Sequence, residues 1–502
     1  MNLSSIIDSN FHCEQNRNLN SFVQTENYDV AHLNGLVGSA ISFILASLQK
    51  ETERNQLLVV NDKEQAAYIL NDLENLVGEK ASVLFFPQSY RRPYEIADID
   101  NANILMRAQV LNNLLNSTKK SIIITYPEAL AEKVVTKSHL SKNTLELKKQ
   151  DKVSISFITD VLFEYGFERN DYVYEPGQFA IRGGIIDIFS FANEDPFRIE
   201  MYGENINSIR TFDAANQLSI QELNQIIIIP NVQDKLLTES RQSFFQYITN
   251  STVLWFENVQ LCEEKLEKEL AVAEKAYSQL SGEIERLAPQ EMYWPKEEFL
   301  NECLSFKRIE YSTQKYWKPN QTIEYSYIPQ PSFNKNFDLL IANLKDNVSK
   351  GYRNIIFSDT QKQMERLNAI FEDIIAKSAT ESILNANWQD FFTTINTSIH
   401  EGFIDKNLKL ACYTDHQIFE RYHRFKLKNS FSKKNEAITV KELKNLNPGD
   451  YVTHIDHGIG RFGGLEIIDI NGKQQETIRI VYKDNDVLYI PIHSLHKIAK
   501  HS

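Results

Sequence analysis

The pattern of apolar and polar positions divides the chain into segments that mix strands with helices and segments rich in strands. From residue 26 to residue 140, apolar runs such as 56–60 alternate with stretches of helical periodicity such as 63–77. Asn61 or Asp62 can cap that helix, because their side chains accept hydrogen bonds from its first backbone N–H groups. Strands that alternate with helices predict a parallel α/β sheet.

The pattern changes in residues 141–228, where alternating strands and Gly-rich turns leave few helix signals. This segment predicts a small, mainly antiparallel α+β module inserted into the α/β domain. A buried-strand run at 252–260 and a charged helix after it indicate that the first domain, begun in residues 1–140, resumes over 229–330. Strand and helix signals recur in residues 331–425 and predict a second, small α/β domain.

The last part of the chain is predicted to be all β. Residues 426–440 are polar, lack apolar periodicity and predict a linker. Over 441–502, short strands with several glycines favour a small, strongly curved barrel of the Tudor or SH3-like kind. Asn471 and Gly472 form a pair that favours a tight hairpin turn. The predicted fold class is therefore multidomain α/β with a C-terminal β-barrel.

Composition narrows the class of function. The chain has 502 residues and a net charge of −13, so it is a poor autonomous DNA binder and favours protein partners. It has no apolar run long enough to span a membrane and no secretory signal pattern. Its four cysteines show no C-x-x-C spacing, which predicts a reduced, cytoplasmic protein without a zinc ribbon.

Residues 35–42 have the frame of a phosphate-binding loop, G-x-x-x-x-G-K-[ST], without its chemistry. Gly35 and Ser42 stand at its ends and Gly38 between them, but Ala40 and Ile41 replace the second glycine and the lysine. Without the lysine, the loop lacks the charge that contacts the β and γ phosphates. We expect a packed strand–turn–helix instead of an ATP site, although the helix N-terminus leaves weak anion binding open.

Other candidate chemistry is weak. Histidines cluster near the C-terminus with Asp456, but His454 and His457 are three residues apart, which places them on opposite faces of a strand. Polar turn residues are the favoured interpretation, so no metal site is predicted. The known nucleophile and metalloprotease motifs do not occur. No catalytic residue is therefore assigned.

One candidate binding surface lies in the inserted module. It comprises Phe179, Arg182, Arg198 and Tyr202, a mixture of arginine and aromatic residues that is typical of interface hot spots. The alternative is equally open: the aromatic residues belong to the core and the arginines face solvent.

A second candidate is the strand at 463–470, with Arg461 beside it. Alternation places Leu465 and Ile467 on one face and Ile468 on the other, more apolar surface than one small core buries. An edge strand of this kind accepts a strand from a partner. The alternative is that a C-terminal helical turn covers the second face.

Two stretches resemble known families. Residues 166–191, GFERNDYVYEPGQFAIRGGIIDIFSF, resemble the damage-handling module shared by UvrB and the transcription-repair-coupling factors (Mfd). Residues 446–470, LNPGDYVTHIDHGIGRFGGLEIIDI, resemble the RNA-polymerase-interacting domain of the coupling factors, which is related to the CarD family. The presence of both in this order, with YTDHQIFERYHR (413–424) between them, is similar to the coupling factors and not to UvrB alone.

The resemblance implies a function and partners. UvrB has an active phosphate loop where this chain has Ala40 and Ile41, and the coupling factors have a UvrB-like region without that ATPase. The inserted module is implied to bind UvrA through positions matching Arg182, Arg198 and Tyr202, with Phe179 adjacent. The barrel is implied to pair with the RNA polymerase β subunit through Leu465, Ile467 and Ile468, flanked by Arg461.

The resemblance also implies a motor that this sequence does not contain. Coupling factors continue into an ATP- and Mg-dependent DNA translocase, which makes most of their DNA contacts, so this chain is expected to be a non-enzymatic, cofactor-free adaptor from the N-terminal part. Two alternatives remain open: a UvrB-like nucleotide-binding repair protein, and a CarD-type transcription regulator that binds only polymerase.

Overall fold

The computed structural model describes most of the chain, and every structural statement below concerns that part. The described residues are 3–78, 82–89, 93–94, 101–116, 120–137, 145–190, 193, 195–214, 216–228, 240–279, 287–358, 360–377, 391–421, 449–454, 458–470, 473–482, 486–491 and 498–500. The predicted linker 426–440 and the Asn471–Gly472 turn lie outside them. By contacts the chain forms two compact units, Met1–Leu140 with Gln233–Asn429 and Ser141–Val232 with Ser430–Ser502.

The first unit contains a seven-stranded sheet in which every pairing is parallel. Its strands, in spatial order, are β17 (Gln321–Glu324), β1 (Val30–Asn34), β16 (Lys307–Glu310), β15 (Val253–Phe256), β2 (Gln56–Val59), β4 (Ser121–Thr125) and β3 (Ser82–Phe85). The central strands are buried along their whole length, as expected for a sheet covered on both faces. The predicted parallel α/β domain is confirmed.

Helices accompany this sheet along the chain. They are α1 (Leu3–Phe11), α2 (Glu14–Gln24), α3 (Ala40–Leu48), α4 (Lys63–Val77), α5 (Asn101–Asn116), α6 (Pro127–Ala131), α7 (Val259–Ser278), α8 (Pro289–Met292) and α9 (Lys296–Cys303), with a 3-10 turn at Phe244–Gln246. Helix α4 has the predicted bounds, and Asp62 caps it by accepting a hydrogen bond from the Gln65 N–H. A two-stranded ribbon pairs β5 (Val134–Val135) with β14 (Arg241–Gln242).

A second, smaller α/β sheet lies in the same unit within residues 327–418, and the domain bounds 331–425 stay a prediction. Its spatial order is β18 (Tyr327–Pro329), β21 (Phe403–Asp405), β22 (Leu410–Thr414), β19 (Arg353–Ser358) and β20 (Thr393–Asn396). Helices α10 (Phe337–Ser349), α11 (Gln361–Lys377) and α12 (Asp415–Ile418) belong to it. Parallel pairs at β19 and antiparallel pairs at β21 make this sheet mixed.

The inserted module is a six-stranded sheet with one helix, α13 (Ile155–Glu164). Its strands, in order, are β12 (Ser219–Leu223), β11 (Asn205–Phe212), β10 (Phe197–Tyr202), β9 (Ile185–Phe189), β8 (Gln178–Arg182) and β7 (Glu168–Arg169). All pairs except β7–β8 are antiparallel. A ribbon of β6 (Leu145–Lys148) and β13 (Gln225–Ile228) contributes to the same core, and the mainly antiparallel prediction is confirmed.

The C-terminal segment is a five-stranded antiparallel sheet. Its order is β26 (Val487–Pro491), β25 (Lys473–Val481), β24 (Gly458–Ile470), β23 (Tyr451–His454) and β27 (Ile498–Lys500). Val452, Phe462, Ile478, Ile480 and Ile490 form its core. Ile498, assigned from sequence to a terminal helical turn, instead begins β27.

Candidate functional site

The loop with the phosphate-binding frame connects β1 to helix α3, the position that such a loop takes in nucleotide-binding sheets. Gly35 and Gly38 both have positive φ, +81° and +52°. Ala40 and Ile41, which replace the second glycine and the lysine, are buried in the first turn of α3. The loop therefore keeps its backbone path while the two positions that carry the nucleotide chemistry belong to the core.

A turn from the small α/β domain packs against this loop and forms hydrogen bonds with it. The Ser39 N–H donates to the Glu401 carbonyl (3.2 Å), and the Glu401 N–H donates to the Ser39 hydroxyl (2.9 Å). The His400 ring stacks on Tyr68 with centroids 3.5 Å apart. A Cβ on Gly38 would lie 3.1 Å from the Glu401 side chain and the Gly402 carbonyl. Protein backbone thus uses a donor that a phosphate would otherwise need.

Ser42, the residue that binds magnesium in an active loop, has a different partner here. Its hydroxyl donates to Asp72 Oδ2 (3.3 Å), and Asp72 Oδ1 accepts from the His400 N–H (2.7 Å). Burial raises the pKa of Asp72 to about 7, against the effect of these hydrogen bonds. Asp72 therefore joins helix α4 to both the loop and the turn.

A cavity of about 450 Å³ adjoins the loop. Among the described residues that line it, five are acidic and none is lysine or arginine; the acidic residues are Asp62, Glu64, Asp72, Glu257 and Glu401. Glu257, which directly follows β15, accepts from the Asn61 N–H (3.1 Å) and Gln65 Nε2 (2.7 Å), and burial raises its pKa. The ionised carboxylates of this lining repel a triphosphate.

The sheet of the inserted module has two different faces. One face packs with helix α13 into an apolar core that includes Phe179, which has no exposed surface and meets Phe163 edge to face. Of the two alternatives left open for Phe179, the structure supports the core position. Phe179, expected to lie adjacent to the candidate binding positions, is thus a buried residue of this sheet, and its part in binding stays a prediction.

The opposite face of the sheet is charged. Cross-strand register places Asp187 directly beside Arg198, and Arg210 beside both Arg198 and Glu222. Arg210 also pairs with Glu200. Opposite charges on neighbouring strands stabilise such a face.

The two arginines singled out from sequence converge on one acid, Asp187, which is fully buried. Arg198 donates from Nε to Oδ1 (2.7 Å) and from Nη2 to Oδ2 (2.9 Å), and Arg182 pairs with Oδ2. The hydrogen bond to Asp187 raises the pKa of Arg198. The Arg198 side chain is 13% exposed and that of Arg182 is 33% exposed. Arg182 is thus the more accessible cation.

Exposed aromatic side chains lie at the end of β10 and beside Arg182. Tyr202, at the end of β10, is 83% exposed. The Arg182 guanidinium lies 4.7 Å from the Tyr172 ring centroid, and Tyr172 lies near Tyr174, also half exposed. Sequence reasoning missed Tyr172 and Asp187, although YVY (172–174) and the polar residue inside IIDIF (185–189) were the available signals.

In the C-terminal sheet, strand β24 is internal by order but only partly paired. It pairs with β25 from Arg461 to Ile470, whereas its pairing with β23 ends at Arg461. Phe462 is still bonded on that side, since its N–H donates to the Asp450 carbonyl (2.8 Å) and its carbonyl accepts from the Gly449 N–H (2.8 Å). Within the described residues, the stretch after Phe462 therefore has a neighbour on one side only. Leu465 lies there and is 42% exposed. Ile467 and Ile468 lie in the same stretch of backbone.

The Arg461 side chain is exposed and is held by the neighbouring Tyr451. Its Nη2 donates to the Tyr451 hydroxyl (2.9 Å), and its guanidinium lies 5.2 Å from the Tyr451 ring centroid. Both residues are exposed on neighbouring strands. They form an aromatic–cationic corner next to residues 463–470, the half of β24 with one neighbour among the described residues, called here the unpaired half of β24.

Within the described part of the chain, no group of three or more His, Cys, Asp or Glu residues is placed to bind an ion. His454 ends β23, while Asp456, His457, His493 and His496 lie outside the described residues. Among the described helices, none is long and apolar enough to cross a membrane.

Comparison with known families matches two segments. Residues 145–233 match the model of the UvrB interaction domain, and residues 446–502 match the model of the CarD-like/TRCF RID domain. The first match covers the module with the charged face, and the second covers the sheet that contains β24.

Whole-chain comparison finds proteins named transcription-repair-coupling factor. The chain is 25% identical to that of Bacillus subtilis over 93% of its length, and 22% identical to that of Haemophilus influenzae over 95%. A Staphylococcus aureus relative is 21% identical over 93% of the chain. These alignments cover 45–46% of the relatives, so the chain spans less than half the length of the curated relatives it matches.

Proposed function

We propose that this chain, a relative of the bacterial transcription-repair-coupling factors, is a non-catalytic adaptor that docks on RNA polymerase and recruits UvrA for nucleotide excision repair. The observation that carries the proposal is the presence of both matched domains, in this order, on one chain. One domain alone would fit a UvrB-like protein or a CarD-type regulator. The pair fits a protein that links two partners.

The UvrA-binding surface is proposed to be the charged face of the inserted module. Arg182 and Tyr202 supply exposed cationic and aromatic surface, the residue types that dominate interface energetics. Guanidinium groups form bidentate bonds with carboxylates, so the partner surface should be acidic. Phe179 supports the sheet from the core side, and Arg198 contributes through its hydrogen bonds to Asp187.

The polymerase-binding surface is proposed to be the unpaired half of β24, within a Tudor or SH3-like barrel. Backbone groups with a neighbour on one side only can accept a strand from a partner, which the resemblance identifies as the β subunit. Leu465, Ile467 and Ile468 would supply side-chain contacts, and Arg461 would flank the added strand. The exposure of Leu465 supports this assignment.

The degenerate phosphate loop is proposed to be a structural joint without a nucleotide. The turn at His400–Glu401 uses the Ser39 donor, Ser42 is bound to Asp72, and the cavity beside them is acidic. We therefore propose that the chain needs no cofactor. ATP and Mg would be bound in the motor domains that the resemblance implies for the whole protein.

The proposal is tested by separate binding assays on the whole chain. The wild-type chain should bind the N-terminal lobe of the polymerase β subunit, and Leu465→Arg or Ile467→Arg should remove this binding while UvrA binding remains. The double variant Arg182→Ala with Tyr202→Ala should have the opposite effect. Circular dichroism checks folding in each case.

Two outcomes would contradict the proposal. If the wild-type chain binds neither protein, the adaptor function is wrong. If it binds polymerase but not UvrA, the CarD-type alternative is favoured instead.

A further inference from the structure

We infer that Asp187 is a positioning residue for UvrA recognition, which holds the guanidinium of Arg182 in place while Arg198 neutralises the carboxylate. The inference rests on the proposed function of the charged face. It gives different roles to two arginines that the sequence does not distinguish. Arg182 contacts UvrA, and Arg198 stabilises the Asp187 carboxylate that holds Arg182.

The carboxylate of Asp187 is completely buried. Asp187 lies on β9, inside the sheet, and its side chain has no exposed surface. A buried carboxylate is stable only with charged or hydrogen-bonding partners, because transfer from water into the protein interior disfavours the ionised form. Both of its oxygens are occupied by arginine donors.

The two arginines differ in their partners and in their exposure. Arg198 bonds both Asp187 oxygens and also donates to the carbonyl (3.2 Å) and Oε1 (3.0 Å) of Gln217. Its guanidinium lies 4.0 Å from the Phe212 ring centroid. With these partners and little exposure, Arg198 has few donors left for another protein.

Arg182, in contrast, has fewer hydrogen-bond partners and a more exposed side chain. It donates to Asp187 and to the Asp171 carbonyl (2.8 Å), and its planar group lies over Tyr172. Three restraints fix the group, yet a third of the side chain is exposed. Because one carboxylate faces two guanidiniums, one positive charge is uncompensated within this trio, and the accessible part of it lies on Arg182.

The arrangement gives Asp187 a role in affinity. A long side chain that is ordered before binding loses less conformational entropy in the complex, and immobilising such a chain otherwise weakens affinity by about twofold to tenfold. Asp187 supplies that order without touching the partner. Removing its charge should therefore weaken binding only when Arg182 is present.

A double-mutant cycle on the whole chain tests the inference, with UvrA binding measured for wild type, Arg182→Ala, Asp187→Asn and the double variant. We expect Asp187→Asn to weaken binding about fivefold in the wild-type background and to have no further effect with Arg182→Ala. Equal losses in both backgrounds, or no loss in either, would overturn the inference. Urea unfolding of each variant separates lost affinity from lost folding.

A second measurement needs only the folded wild type. With isotope-labelled arginine, NMR should show the Arg182 guanidinium, identified by its absence in Arg182→Lys, rotating slowly about its Nε–Cζ bond. Fast rotation would overturn the positioning role even if Asp187→Asn fails to fold. Absence of UvrA binding by the wild type would instead contradict the proposed function, so the two failures remain distinct.

Discussion

Replacing Asp72 by asparagine should change how the stability of the first unit depends on pH. Asp72 is 1% exposed, and burial raises its pKa from 3.8 to about 7. The folded state therefore favours the protonated form more than the unfolded state does. Stability associated with this group is complete below the unfolded pKa, and it is lost as pH rises from there through the folded pKa.

The magnitude follows from the two pKa values. The difference between 3.8 and about 7 corresponds to on the order of 4 kcal/mol between protonation states. Between pH 5 and pH 8, roughly 2 to 3 kcal/mol of that loss should occur in the wild type. The asparagine side chain is neutral at every pH and can still accept from the His400 N–H, so Asp72→Asn should lack this loss.

Tryptophan fluorescence in urea is the suitable assay, because all four tryptophans lie in the first unit, between residues 255 and 388. The stability of Asp72→Asn relative to wild type should increase from pH 5 to pH 8. Asp72→Ala is the matched control: it is also uncharged but leaves the His400 N–H without its acceptor, so it should be less stable than Asp72→Asn throughout. Parallel pH curves for wild type and Asp72→Asn would refute the reasoning.

Three further outcomes are expected. Phe179→Ala should destabilise the inserted module by about 3–5 kcal/mol, because it empties a fully buried site; circular dichroism during urea unfolding checks this, and a loss below about 1 kcal/mol would contradict the core position. Glu132→Ala should lower the free energy of unfolding of the first unit by about 3–5 kcal/mol, because it removes the carboxylate that pairs with the buried Arg107 and Arg241 side chains. Tryptophan fluorescence during urea unfolding measures this loss, and Glu132→Gln is the milder control. Calorimetry with ATP and Mg should detect no binding at millimolar concentration, and micromolar affinity would restore the UvrB-like alternative.

The parts of the fold that follow local rules were predictable from sequence. Helix α4 has an apolar stripe and Asp62 at its N-cap, so its position needs no tertiary information. Helices α1 and α2 were missed, although Leu19, Phe22 and Val23 have helical spacing and are buried. The many polar residues of α2 obscured the helical spacing of its apolar positions.

The interactions that depend on distant partners were not predictable. Glu401 is 362 residues from Ser39 along the chain, and no local pattern indicates that its carbonyl accepts the loop's N–H. The role of Asp187 depends on strand register, since a shift of one residue would move Arg198 to the other face. The partial pairing of β24 depends on where β23 ends, which alternation alone does not specify.

A sequential binding experiment shows whether one chain joins the two partners. The N-terminal lobe of the polymerase β subunit is immobilised, the chain is added, and UvrA follows. We expect UvrA to bind only to the surface that already carries the chain, and the chain to remain bound. Failure of the chain to bind the lobe, or of UvrA to bind the loaded chain, would contradict the adaptor function.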